Sequence, residues 1–238
     1  PYNEKTIIVI DTTTDSIEYI DVPNIGTGKY IQGHVYKNKI YALPYGEHEP
    51  YQFALILDLK THKLKQINID LGKNDDEKKW HQTQLIENTI HGLPRGENLD
   101  LHFNYSIEFD CDNEVYKLNN LIEHWQEYDT HRHCNKKFTT IAKVGNKLWA
   151  APYSEYENFD ILAKWDKKWT FTKTKIQGTS RKYYSHIVAN NGKIYFPPAG
   201  HDESWSDLLI VNTKTDTWYT KNLDVGKESK KYFTGAEN

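Results

Sequence analysis

The chain has 238 residues, with 30 Lys and Arg against 33 Asp and Glu, a formal charge of -3 and a pI near 6.4. That balance excludes nucleic acid as a default partner, because phosphate binding needs clustered cations that outweigh the acids. No apolar run approaches a membrane span and no signal-peptide core is present, so composition predicts a soluble chain.

The first element, Pro1 to Ile20, reads as two strands around the turn Asp11-Thr12-Thr13-Thr14-Asp15. Residues 29 to 70 then supply a full unit. Tyr30 to Tyr36 reads as a first strand, Lys37-Asn38 turns, and Lys39 to Leu43 is a second strand ended by Pro44, which cannot donate to a ladder. After a polar loop, Phe53 to Leu57 is a continuous apolar run, the pattern of a strand covered on both faces. A turn opened by Asp58 leads to an alternating outer strand, Lys65 to Ile69.

This unit recurs. Lys followed by an aromatic appears at Lys29-Tyr30, Lys79-Trp80, Lys137-Phe138, Lys182-Tyr183 and Lys231-Tyr232, spaced 50, 58, 45 and 49 residues apart. An apolar stretch ending in proline follows each of the first four, at Pro44, Pro94, Pro152 and Pro198, and Pro1 aligns as a fifth. The Asp or Asn that opens the outer turn recurs as Asp11, Asp58, Asp110 and Asn212, because such a side chain closes an Asx-turn on its own backbone. In the fourth unit the turn degenerates to Lys164-Trp165-Asp166-Lys167-Lys168.

Strand-rich units of this period are expected to stack as propeller blades. The prediction is an all-β chain: one β-propeller domain over 1–238, made of five four-stranded antiparallel blades. The repeats fall at about 29–70, 79–120, 137–177 and 182–225, with 231–238 joined to 1–22 in a blade shared by the two termini. About seven residues of a second strand are missing from that joint. With no Met anywhere and Pro1 first, either an initiator Met was trimmed or the chain is a piece of something longer.

The order apolar strand, tight loop, apolar strand, Asp-x-x-Thr-like turn and Trp, best seen in Leu208 to Trp218, resembles kelch-type and related propeller repeats. Where kelch repeats carry a double glycine, this chain has Pro44-Tyr45-Gly46, Pro94-Arg95-Gly96, Pro152-Tyr153-Ser154 and Pro198-Ala199-Gly200. The resemblance implies the fold, and fold does not fix function.

Binding residues on a propeller are expected on the loops between second and third strands, which here hold Tyr45, Tyr51, Arg95, Tyr153, Tyr156, His201 and Trp205. Three residues beyond each proline stand Glu4, Glu47, Glu97 and Glu155, with His201 in the fifth repeat. Converging carboxylates could hold a divalent cation, the one cofactor this pattern suggests, whereas pairing with the repeated lysines is the structural alternative. His34, Gln84 and His186 take matching places on the first strands, toward the axial channel, with Ala142 and Ala236 completing the ring. The insertion Leu121 to Lys136 carries His124, His131, His133 and Cys134 without a zinc spacing.

Two cysteines, Cys111 and Cys134, make no disulfide framework; a reducing cytoplasmic compartment is favoured over secretion. No nucleophile motif or phosphate-cradling loop appears. The expected function is a non-catalytic binding scaffold that engages a protein, glycan or small ligand through the loop face. A metal-dependent hydrolase or lyase using the carboxylate ring is the alternative.

Overall fold

A computed structural model describes residues 2–23, 28–46, 51–71, 79–95, 103–124, 137–153, 159–174, 183, 186–189, 191–199 and 206–223. Eighteen strands form five antiparallel sheets, and the one helical element is a single 3-10 turn at Ile122–His124 among these residues. Blade 1 shows two strands, β1 (Thr6–Asp11) and β2 (Ser16–Asp21). Blade 2 is β3 (His34–Tyr36), β4 (Lys39–Ala42), β5 (Phe53–Asp58) and β6 (Leu64–Asn68). Blade 3 is β7 (Thr83–Ile86), β8 (Thr89–Gly92), β9 (Tyr105–Asp110) and β10 (Val115–Asn120). Blade 4 is β11 (Ala142–Val144), β12 (Lys147–Ala150), β13 (Ile161–Trp165) and β14 (Trp169–Lys173). Blade 5 is β15 (Ile187–Ala189), β16 (Lys193–Phe196), β17 (Asp207–Asn212) and β18 (Thr217–Asn222). Each four-stranded sheet is a meander in chain order, and the chain is a β-propeller. The strand expected from 231–238 lies outside the described residues.

The third strands explain how the blades hold together. Along β5, Ala54 and Ile56 pack toward blade 3 with Trp80, Ile90, Phe103 and Phe109, while Leu55 packs with Val22, Tyr30 and Tyr51 toward blade 1. Alternate side chains leave opposite faces of a strand, so a run apolar at every position is one buried on both sides. The same holds for β13 and β17, whose residues join clusters with Phe138, Leu148 and Phe159, and with Tyr183, Ile194 and Phe196. Truncating such a side chain to Ala costs about 2–5 kcal/mol.

The outer turns close as their composition requires. The Oδ1 atoms of Asp11, Asp58, Asp110 and Asn212 accept from the amides of Thr13, Lys60, Asp112 and Lys214 at 2.8, 2.9, 2.8 and 3.1 Å. The last turn residue, Asp15, His62, Glu114 or Asp216, then takes a left-handed conformation with φ between 53° and 56°. In blade 4 the turn is shorter: Trp165 pairs directly with Trp169, and Lys167 holds the positive φ.

The first strand departs from expectation. It spans His34–Tyr36 rather than starting at Tyr30. The cause is a second job for its N-terminal end: the Tyr45 amide donates to the carbonyl of Lys29 at 2.7 Å, while the chain between leaves the ladder and Gln32 Oε1 accepts the amide of Thr83 in blade 3 at 3.0 Å.

Candidate functional site

The residue after Pro44, Pro94 and Pro152 sits at a joint between blades. Its amide donates to the repeat lysine of its own blade, in the pairs Tyr45 to Lys29, Arg95 to Lys79 and Tyr153 to Lys137, at 2.7, 2.8 and 3.0 Å. Its carbonyl accepts from the lysine amide of the next blade, Lys29 to Tyr2, Lys79 to Tyr45 and Lys137 to Arg95, at 3.0, 3.0 and 2.9 Å. Tyr2 thus occupies in blade 1 the place of Tyr45, Arg95 and Tyr153. The belt uses main-chain atoms only, which leaves the side chain at this position free to differ from blade to blade.

Those side chains meet. Arg95 Nη1 donates to Tyr45 Oη, and the guanidinium lies 5.7 Å from the Tyr45 ring centroid and 6.0 Å from that of Tyr153. His81 presents an edge to Tyr45 at 5.6 Å and contacts the Thr139 carbonyl through Nδ1 at 2.9 Å. Tyr45, Arg95 and Tyr153 are all buried, at 3%, 7% and 1% exposure, so Arg95 is a cation held between two phenol rings. Tyr51 is elsewhere: its hydroxyl lies 3.0 Å from Tyr30 Oη and takes a bond from Gln66 Nε2 at 2.9 Å, inside the core between blades 1 and 2. Tyr156, His201 and Trp205 lie outside the described residues.

The repeat lysines are a feature that residue type conceals. Lys29, Lys79 and Lys137 are 1%, 0% and 1% exposed. Lysine is seldom fully buried without a partner. Lys137 Nζ contacts the Phe103 carbonyl at 3.4 Å. Burial lowers the Lys29 pKa, and the carboxylate of Glu4, at the surface beside it, opposes that shift. Glu47, Glu97 and Glu155 lie outside the described residues. Repetition of the lysine beside an aromatic was the signal available in the sequence.

The channel candidates bridge adjacent blades. His34 Nε2 is 2.7 Å from Thr83 Oγ1, Gln84 Nε2 donates to the Ile141 carbonyl at 2.8 Å, and His186 Nδ1 is 2.6 Å from Thr140 Oγ1. Burial, and secondarily the charge of Lys143, depress the His34 pKa to about 4, so the ring is neutral at pH 7. Among the described residues no three His, Cys, Asp or Glu side chains are placed to hold a metal ion. Of the insertion, His124 is described and ends the 3-10 turn; His131, His133 and Cys134 are outside the described residues. No described helix is long and apolar enough to cross a membrane.

A third set of contacts ties the outer turns together. The left-handed turn residue reaches back to the preceding blade: His62 Nδ1 to Glu18 at 2.8 Å, Glu114 to Lys39 at 2.5 Å and also to Lys65, and Asp216 to Lys164 at 2.6 Å. Beside Glu114, Asp112 pairs with Lys37 and accepts from Tyr36 Oη at 3.1 Å. Lys39 and Lys65 hold the Glu114 carboxyl below its usual range, and Lys37 does the same for Asp112.

No family model matches the chain, and no curated protein is similar to it. Solved structures are. The chain is similar to a catalytically inactive virginiamycin B lyase from Staphylococcus aureus with quinupristin, at 11% identity and a TM-score of 0.61, over 93% of this chain and 64% of the lyase. It is similar to YCF48 bound to D1 peptide, at 10% identity and TM-score 0.53, over 93% of this chain and 61% of that one. Hydrazine synthase of Kuenenia stuttgartiensis matches at 8% identity and TM-score 0.53, over 88% and 59% of the two chains. The chain therefore spans less than two thirds of the length of each of these proteins. At such identities the likeness shows the fold alone, a β-propeller.

Proposed function

We propose that the chain is a non-catalytic binding scaffold whose loop face engages a protein, glycan or small ligand, with the buried Arg95 cluster as the floor beneath that contact. One observation carries the reading: three consecutive blades keep the same main-chain belt yet place Tyr45, Arg95 and Tyr153 at its variable position. Arg and Tyr are the residue types that dominate binding energy when packed and desolvated. Two propellers of similar fold hold ligands, one a peptide and the other quinupristin. Tyr156, His201 and Trp205, outside the described residues, belong to this reading by their place in the sequence alone.

The test compares wild type with Arg95→Ala and Trp205→Ala as baits, with Lys37→Ala on the opposite face as a control. The reading expects a captured partner to be weakened by about 1–4 kcal/mol by either loop-face change and untouched by the control. A partner lost with Lys37→Ala and retained by both loop-face variants overturns it.

A further inference from the structure

The junction between blades 3 and 4 breaks a rule that three other junctions keep. At three junctions the left-handed residue of the outer turn pairs with the preceding blade: His62 with Glu18, Glu114 with Lys39 and Lys65, Asp216 with Lys164. In blade 4 that residue is Lys167, and among the described residues no ion pair joins this turn to blade 3. A cleft of about 310 Å³ opens there instead. Glu108, Lys117 and Asn119 of blade 3 line one wall; Lys167, Lys168 and Trp169 of blade 4 line the other. Small-molecule sites run from roughly 300 to 1,000 Å³.

The same junction also holds buried polar atoms with no partner. They are the indole N–H groups of Trp165 and Trp169 and Nδ1 of His91. Strand register puts them directly inward of the cleft walls: His91 is the cross-strand neighbour of Glu108, which in turn neighbours Lys117, and Trp165 neighbours Trp169. The His91 and Trp165 rings touch across the blades, with centroids 4.3 Å apart. An unmade hydrogen bond at a buried donor costs about 1–3 kcal/mol. Of the three, Trp169 lines the cleft itself, and His91 and Trp165 lie one strand behind its walls.

We propose that this rim cleft binds a sugar, a pyranose unit presented by a glycan. The lining has the matching chemistry. Trp169 and Phe171 lie nearly parallel, at 23° and 6.5 Å, and supply an apolar wall for the C–H face of a ring. Glu108 and Glu123 accept from hydroxyls, whereas Lys117, Lys167 and Lys168 donate to them, and the near balance of charge selects against a strongly ionic ligand. A polyhydroxylated ligand offers donors and acceptors together, which suits a wall that mixes carboxylates, ammonium groups and an aromatic face. This site is on the rim and does not depend on the loop-face reading.

The test follows the tryptophan indole N–H resonances of the whole chain during titration with methyl glucopyranoside, galactopyranoside, mannopyranoside and N-acetylglucosaminide. The expected result is a saturable shift of the Trp165 and Trp169 signals with at least one of the four. Lys117→Ala, an exposed change that spares the core, should weaken that binding at least about tenfold, as should Trp169→Phe read at Trp165. The proposal is overturned if no sugar shifts these signals, if the shift survives Lys117→Ala at full affinity, or if hexaglutamate shifts them while the sugars do not.

Discussion

The main-chain amide of Lys79 donates to the carbonyl of Tyr45 at 3.0 Å, across the joint between blades 2 and 3, and the Lys79 side chain is wholly buried beneath that bond. The equivalent joints use Lys29 with Tyr2 and Lys137 with Arg95. A cation kept out of water at successive joints needs a counter-charge. Glu4 acts on Lys29 across the first joint. By the repeat we propose Glu47, which lies outside the described residues, as the partner of Lys79, and Glu97 likewise as that of Lys137.

This changes the magnitude expected of the pair. An exposed Glu–Lys contact contributes under about 1 kcal/mol, but stranding one member of a buried pair costs about 3–5 kcal/mol. Lys79→Met should therefore destabilise strongly in urea unfolding, and Lys79→Met with Glu47→Leu should recover most of the loss. A double variant as unstable as the sum of the two single changes would show that Glu47 is not the partner.

The inner side of blade 1 carries a second expectation. Beside β1 an apolar groove of about 350 Å³ is lined by Ile7, Tyr30, Ile40, Leu55 and Leu57, and it lies where blades 2 to 5 have their second strands. Ile8, Ile10, Ile17 and Tyr19, on the face of blade 1 away from blade 2, are 56–64% exposed. The repeat frame of Lys231-Tyr232 assigns 231–238 to this blade, as the proposed strand shared between the termini. Deleting residues 224–238 should lower the thermal midpoint and increase binding of a hydrophobic dye. An unchanged midpoint would remove the shared blade from consideration.

Much of this architecture was legible because its causes are local. Asp58 and Asp110 declare their turns by their own hydrogen bonds, and Pro44, Pro94, Pro152 and Pro198, which lack an amide, each stand two residues beyond the end of a second strand. The site was less legible because its causes lie between blades. Nothing near Tyr45, Tyr51 or Tyr153 in the sequence says that they are buried, since the side chains that meet them come from 15 to 58 residues away. The cleft of blades 3 and 4 had a sequence signal in the degenerate turn Lys164 to Lys168, whose consequence appears only when the other turns are seen to pair.

Cys111 offers a chemical check on that packing. It is buried, its thiol is pushed up to about 12 by burial and then by Asp110, Asp112 and Glu114, and the Tyr41 hydroxyl donates to its carbonyl at 2.9 Å. The thiolate is the reactive form, so a Cys134→Ser variant should show no titratable thiol in the native state and one in denaturant. Rapid native labelling would mean that the joint between blades 2 and 3 opens readily.

His91 sets the pH dependence of the joint between blades 3 and 4. Burial depresses its pKa from 6.5 to about 4, so in the folded state it stays neutral where the unfolded chain would protonate it. Between pH 6.5 and 4 the unfolded state binds the additional proton, so stability is full above 6.5 and falls as pH drops through that window. At 1.36 kcal/mol per unit the loss from this group is on the order of 3 kcal/mol. His34, whose pKa is also about 4, adds to the fall in the same direction. Urea midpoints measured at pH 7.5 and 4.5 should therefore differ markedly in the wild type. His91→Phe keeps a ring against Trp165 but removes the titration, and should narrow the difference. An equally steep dependence in that variant would assign the acid sensitivity to other groups, His34 foremost, because the paired carboxylates Asp112 and Glu114 have depressed pKa values and shed stability at still lower pH.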